Sequence, residues 1–162
     1  MRFFVILALA ITVAVFSQSA PSLAQGVQVT QLLVKKADRK LYLLNGRSVL
    51  RSYDVDLGWN PVNHKVREGD GRTPEGLYHI THRNPQSTYY LSLGISYPNA
   101  EDRARARRRG VSPGGDIFVH GQGPSGRGRG ADWTAGCIAV TDAEMREIYS
   151  LVKPGTPIFI AP

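Results

Sequence analysis

Residues 116–142 read DIFVHGQGPSGRGRGADWTAGCIAVTD, a run that holds the chain's single cysteine, Cys137, and a well-placed histidine, His120. Asp116 to His120 is apolar and β-branched, which predicts a short buried strand delivering His120 at its C-terminal end, where a side chain can face a cleft. A glycine-rich loop then leads through Asp132 and Trp133 to Thr134-Ala135-Gly136-Cys137, and Ile138, Ala139 and Val140 read as the start of another buried strand. The pattern sets Cys137 where a loop enters a packed element.

A thiol with a reference pKa near ~8.5 is mostly protonated at neutral pH, whereas a neighbouring imidazole stabilises the nucleophilic thiolate. Gly136 lets a substrate carbonyl approach the backbone, so the amides of Gly136 and Cys137 are candidate donors to the oxyanion formed on attack. A lone cysteine also has a plainer reading as a small buried apolar residue. The preceding glycine and the export signal described below favour chemistry.

His120-Gly121, followed beyond the loop by Thr134-Ala135-Gly136-Cys137-Ile138, resembles the signature of the L,D-transpeptidase catalytic (YkuD-type) domain family. REGDGRTPEGLYHI (67–80), YYLSLGISYPN (89–99) and DWTAGCIAVTDAEM (132–145) are similar to its compact, murein L,D-transpeptidase-related subgroup, so the resemblance covers nearly all of residues 25–162. It implies a mixed α/β, β-rich fold, a β-sandwich-like sheet with one or two helices. It also implies a Cys137 nucleophile, His120 as proton donor and acceptor, the Gly121 carbonyl orienting the imidazole, and Gly136 as an oxyanion amide. Asp132, Trp133 and Thr134 are the expected substrate-binding residues.

The implied substrate is a peptidoglycan stem peptide, attacked at the L-centre carbonyl of meso-diaminopimelate with D-alanine leaving, and no metal or organic cofactor is required. The acceptor is an amine, from another stem or the lysine of an outer-membrane lipoprotein, or water. Ala139 and Ala135 depart from the family, standing where many members carry Arg or Asn and His or Asn respectively. The first departure keeps a hydrolase, a carboxypeptidase or amidase, beside the transpeptidase. From other classes, a non-catalytic wall-binding module would not need His120 and Cys137, and a redox protein would carry the CxxC motif that this chain lacks.

At 162 residues the chain is of one-domain length; 42% hydrophobic and 20% charged residues argue against disorder and against a multispanning membrane protein. Arg2, the apolar run from Phe3 to Phe16 and the small residues Ser22 and Ala24 read as a secretory signal peptide over 1–24, cleaved after Ala24, with one catalytic domain over 25–162. The alternative, an uncleaved anchor, is short of the ~20 residues needed to cross a bilayer. The expected location is the periplasm. An exported lone cysteine has no internal disulfide partner, which again suggests use.

Gln31 to Val34, Lys40 to Leu44 and Ser48 to Asp56 read as strands, the last two joined by the hairpin signal Asn45-Gly46, with Tyr42, Leu44, Val49, Tyr53 and Val55 expected on a core face. Gly58 to Arg72 has no period and reads as a long surface loop. The turn Thr73-Pro74-Glu75-Gly76 precedes a strand from Leu77 to His82. His79 and His82 lack accompanying ligands and read as ordinary histidines rather than a zinc pair.

Asn99 caps an expected helix with Glu101 and Asp102 in its first turn, five arginines after them (Arg103, Arg105, Arg107, Arg108 and Arg109) and Gly110 as its stop. A solvated helix is the plain reading; the alternatives are a face for an anionic wall polymer or peripheral contact with membrane headgroups, consistent with the net charge of +7. Gly126-Arg127-Gly128-Arg129-Gly130 is too short, and too poor in aromatics, for a nucleic-acid tract. Thr141 to Glu144 forms a capping box for a helix to about Leu151 with Met145, Ile148, Leu151 and Val152 on one face, and Ile158 to Ile160 closes the sheet.

Overall fold

The computed structural model describes residues 28–126 and 128–162; the leader assigned to residues 1–24, and Arg127 of the Gly-Arg tract, lie outside the described residues. Alternation in the first three segments builds a meander: β1 (Gln31–Lys35), β2 (Lys40–Asn45) and β3 (Ser48–Asp54). β1 buries Leu32 and Val34, and β2 buries Leu41 and Leu43, each on a period of two. A bulge between Leu43 and Leu44 shifts the register against the edge strand β3. Val49, expected in the core, is 59% exposed there, while Tyr53 and Val55 are buried as expected.

The remaining strands are β4 (Gly76–Ser87), β5 (Tyr90–Ile95), β6 (Phe118–His120), β7 (Ile138–Ala139) and β8 (Pro157–Ala161). The eight run in the order β3-β2-β1-β8-β4-β5-β6-β7. Only β1/β8 and β6/β7 are parallel; the other neighbours are antiparallel. β4 serves both halves, pairing β8 through Gly76–His79 and β5 from Ile80 onward. Apolar side chains of both halves join one core, to which α3 (Asp142–Leu151) adds the fully buried Met145 and Ile148.

Both long helices start as read from sequence. Asn99 caps α1 (Ala100–Arg108) with Asp102 in a reciprocal box, and Thr141 caps α3 with Glu144, each arrangement contributing on the order of 1 kcal/mol. α2 (Gly123–Gly126) is a single turn in the glycine-rich loop.

Two expectations need correction. β4 continues past His82 to Ser87 and turns into β5, a strand not assigned from sequence. β5 buries Ser92, Leu93, Gly94 and Ile95 in succession, so it lacks the period-two signature. Residues 58–72 are irregular and expose Trp59, Val62 and Arg67 as a surface loop would, but they are also anchored inward: Lys65 and Asp70 are buried and bonded at 2.9 Å, and the Asp70 carboxylate also accepts the amides of Val66, Arg67 and Arg72. Lys36, 2% exposed, reaches the same region and donates to the carbonyls of Asn63 and Thr73 and to Glu75.

Candidate active site

The register of the last strands brings the histidine and cysteine together. Val119 pairs with Ile138 and His120 with Ala139 in the parallel β6/β7 ladder. Paired residues share a face and alternate residues return to it, so Cys137, two before Ala139, lies on the His120 side. Both residues line one cavity of about 290 Å³, walled by the β4–β5 hairpin (Asn84, Gln86, Ser87, Thr88, Tyr89) and by Phe118.

His120 is 3% exposed and held on all sides. Its Nδ1 lies 2.6 Å from the Gly121 carbonyl; a carbonyl only accepts, so Nδ1 carries the hydrogen and Nε2 keeps its lone pair. Tyr89 stacks on the imidazole at 4.6 Å between centroids, and Trp133 meets its edge at 5.7 Å. Burial pushes the imidazole's pKa down, against the raising effect of the Gly121 carbonyl, so the ring is neutral at pH 7.

The chain beyond Gly121 is clamped from α3, whose Asp142 Oδ1 accepts the amides of Gln122 at 2.8 Å and Gly123 at 2.9 Å. Gly121 must be glycine here: a β-carbon would lie 2.6 Å from that same oxygen.

Cys137 donates its thiol hydrogen to the Asp116 carbonyl at 3.4 Å. Burial pushes the thiol up to about 11, the Phe118 amide opposing it. Burial thus favours the uncharged form of both groups, working against a thiolate on Cys137 as well as against an imidazolium on His120. The turn before it is stapled by Thr134, which donates its hydroxyl to the Cys137 carbonyl at 2.7 Å and accepts the Gly136 amide at 3.1 Å.

That staple corrects two expected roles. The hydroxyl of Thr134, 4% exposed, is spent inside the turn rather than offered to substrate. The Gly136 amide, expected as an oxyanion donor, is already donated to that hydroxyl. Gly136 has a different necessity: its φ is +138° and a β-carbon would lie 2.6 Å from the Arg72 carbonyl.

Asp132 also departs from expectation. Its carboxylate takes Arg39 Nε and Nη2 at 2.7–3.1 Å and the Leu57 amide at 3.0 Å, so it ties the loop to the sheet instead of facing substrate. Trp133 remains at the site as the edge partner of His120. Sequence reasoning missed Tyr89, Asp142 and the hairpin wall. Asp142 was concealed by its place in a capping box, and Tyr89 by a stretch with no period.

Ala139 is 1% exposed, its backbone bonded to Asp56 at 2.9 and 2.8 Å on one side while β6 pairs it on the other, so no polar side chain follows Cys137 into the site. His79 and His82 stand exposed on β4, and among the described residues no group of three or more His, Cys, Asp or Glu could share a metal ion. Among the described residues, no helix is long and apolar enough to cross a membrane.

Comparison with known proteins agrees with this architecture. The L,D-transpeptidase catalytic domain (YkuD) profile matches residues 30–160. YafK of Escherichia coli strain K12, provisionally named an L,D-transpeptidase, is 29% identical over 136 residues, 82% of this chain and 49% of its own. The chain spans about half the length of the curated relatives it matches.

Among solved structures, Bd1075 of Bdellovibrio bacteriovorus superposes with TM-score 0.59 at 28% identity, over 82% of this chain and 48% of its own. The helical cell shape determining protein Pgp2 of Campylobacter jejuni gives 0.65 at 25% identity, over 82% and 46% respectively. L,D-transpeptidase 1 of Mycobacterium tuberculosis, at 13% identity and TM-score 0.52 over 81% and 60%, shares the fold. With the profile covering nearly all the described residues, this chain belongs to the L,D-transpeptidase catalytic (YkuD) domain family.

Proposed function

We propose that the protein is a cysteine-dependent acyltransferase of peptidoglycan stem peptides, working in the periplasm after export. The carrying observation is that Cys137 and an imidazole with its Nδ1 hydrogen fixed on the Gly121 carbonyl line one cavity. His120 Nε2 takes the thiol proton as sulfur attacks the L-centre carbonyl of diaminopimelate, and the Cys137 amide donates to the developing oxyanion. Collapse breaks the amide bond, the imidazolium protonates the departing D-alanine, and a thioester remains. An acceptor amine then attacks, passes its proton to His120 and releases Cys137.

The hairpin amides and hydroxyls suit a peptide substrate, and the charge of +7 for the whole chain, or +6 once Arg2 leaves with the leader, suits an anionic polymer. Membership of the family, and the cell-shape role of the Pgp2 relative, support wall remodelling. A second reading, with water as acceptor, is favoured by one observation: the buried Ala139 leaves no polar side chain after Cys137 to hold an amine.

Mass spectrometry of the purified protein with disaccharide-tetrapeptides, and separately with stems linked to a lipoprotein lysine, tests both. Dimers lacking D-alanine identify the transpeptidase. D-alanine release without dimers identifies the carboxypeptidase, and release of the linked peptide the amidase. Unchanged substrates with no acyl group on Cys137 would overturn both readings and leave a binding module.

A further inference from the structure

A second depression, of about 310 Å³, opens between residues 66–72 and the chain just after α1, and Arg67, Arg72 and Arg109 line it. None of these three guanidinium groups has a carboxylate partner among the described residues. The one carboxylate on the wall, Asp70, is committed to Lys65 and three backbone amides. Arg72 Nε is buried with no hydrogen-bond partner among the described residues. Concentrated positive charge that nothing local neutralises, with a buried donor left over, is the signature of a site for an external anion.

Beside the arginines stands Trp59, 60% exposed. Its indole lies against Gly71, where a β-carbon would come within 2.1 Å of the ring, and its amide is donated to the Thr134 carbonyl at 2.9 Å. A held, exposed indole next to guanidinium groups matches a ligand with an apolar face and an attached anion, as in a sugar ring bearing an acidic peptide. The Arg72 carbonyl abuts Gly136, so this depression shares a wall with the turn that carries Cys137.

We propose that this depression is an accessory subsite for the carboxylate-bearing part of a peptidoglycan strand, with Arg67, Arg72 and Arg109 holding the carboxylate and Trp59 covering the sugar. The assignment of the ligand rests on the function proposed above. It adds affinity for the polymer and takes no part in bond making.

The test is calorimetric binding of N-acetylmuramyl tripeptide to the full chain carrying Cys137→Ser, which removes turnover from the measurement. Arg67→Gln and Arg109→Gln, both at exposed positions, are each expected to weaken binding about 5- to 20-fold, whereas Arg51→Gln, whose native partner is Glu147, leaves it unchanged. Trp59→Ala is expected to weaken the muramyl ligand but not the sugar-free tripeptide. Equal binding by the arginine variants, no binding by the parent, or displacement by an equal concentration of inorganic phosphate would overturn the subsite. Because no reaction is required, loss of the proposed chemistry with retained arginine-dependent binding would condemn only the former, and products formed without such binding only the latter.

Discussion

The turn that carries Cys137 stands between two walls built on opposite principles. Behind it, residues 56–75 have no regular structure, yet a set of inward bonds ties them down: Lys65 with Asp70, Lys36 with Glu75, Gly58 with the Thr73 hydroxyl, Trp59 with the Thr134 carbonyl. In front, the 84–92 hairpin lines the cavity with Asn84 and Ser87, whose side chains accept only the local Gln86 and Tyr89 amides. Irregular backbone is therefore not the same as adaptable backbone. One wall packs against the backbone of the turn that carries Cys137, and the other keeps its polar groups for whatever enters.

The sharpest way to break this contrast is to push on the fixed wall at its tightest point. Gly136→Ala forces a β-carbon against the Arg72 carbonyl at a φ that L side chains rarely adopt. We expect a loss of about 2–4 kcal/mol in denaturant unfolding and at least ~100-fold in turnover. Gly130→Ala, in the loop on the cavity side with open space around it, should change stability by less than about 0.5 kcal/mol. Similar costs at the two glycines would erase the distinction.

Asp70 sharpens it further. Burial pushes its carboxyl up, but the Arg67, Val66 and Arg72 amides and Lys65 outweigh this and hold it at about 2. A carboxyl depressed on folding stabilises the protein above its unfolded value near ~4 and loses that contribution as pH falls toward 2, on the order of 2 kcal/mol in all. Urea unfolding at pH 7 and pH 3 should reveal this loss, and Asp70→Asn should flatten the profile. Asp70→Ala, which strands Lys65 in the interior, is expected to cost about 3–5 kcal/mol at pH 7. A cost below 1 kcal/mol would mean that the rear wall is not held by its buried charges.

The smallest effect lies on the cavity side. Tyr89→Leu removes the ring stacked on His120 and is expected to lower kcat/KM about 5- to 10-fold, the ~1 kcal/mol typical of an aromatic pair, with little change in the unfolding midpoint. Steady-state kinetics beside thermal melts separate the two quantities.

Much of this was legible in the chain because its signals are local. The Asn45-Gly46 hairpin, both capping boxes and the apolar stripe of α3 depend on neighbours within a few residues, and the spacing of His120, Gly136 and Cys137 carries its own pattern. What stayed hidden depends on partners distant in sequence. That Asp132 binds Arg39, that Asp142 clamps Gln122, and that residues 58–72 fold into a wall follow from pairings only the sheet order creates. β5 was masked by burial on both faces, and the upward push of burial on the Cys137 thiol depends on surroundings that sequence cannot register.

The central claim is that Cys137, protonated at rest, is acylated through His120. Intact-mass spectrometry of the protein mixed with a tetrapeptide stem, quenched in acid, reads it directly. We expect a mass increase equal to the acyl tripeptide on Cys137, absent from Cys137→Ala and formed at least ~100-fold more slowly by His120→Ala. An unmodified protein between about pH 5 and 9 while substrate is consumed, or equal acylation rates with and without the imidazole, would contradict the account.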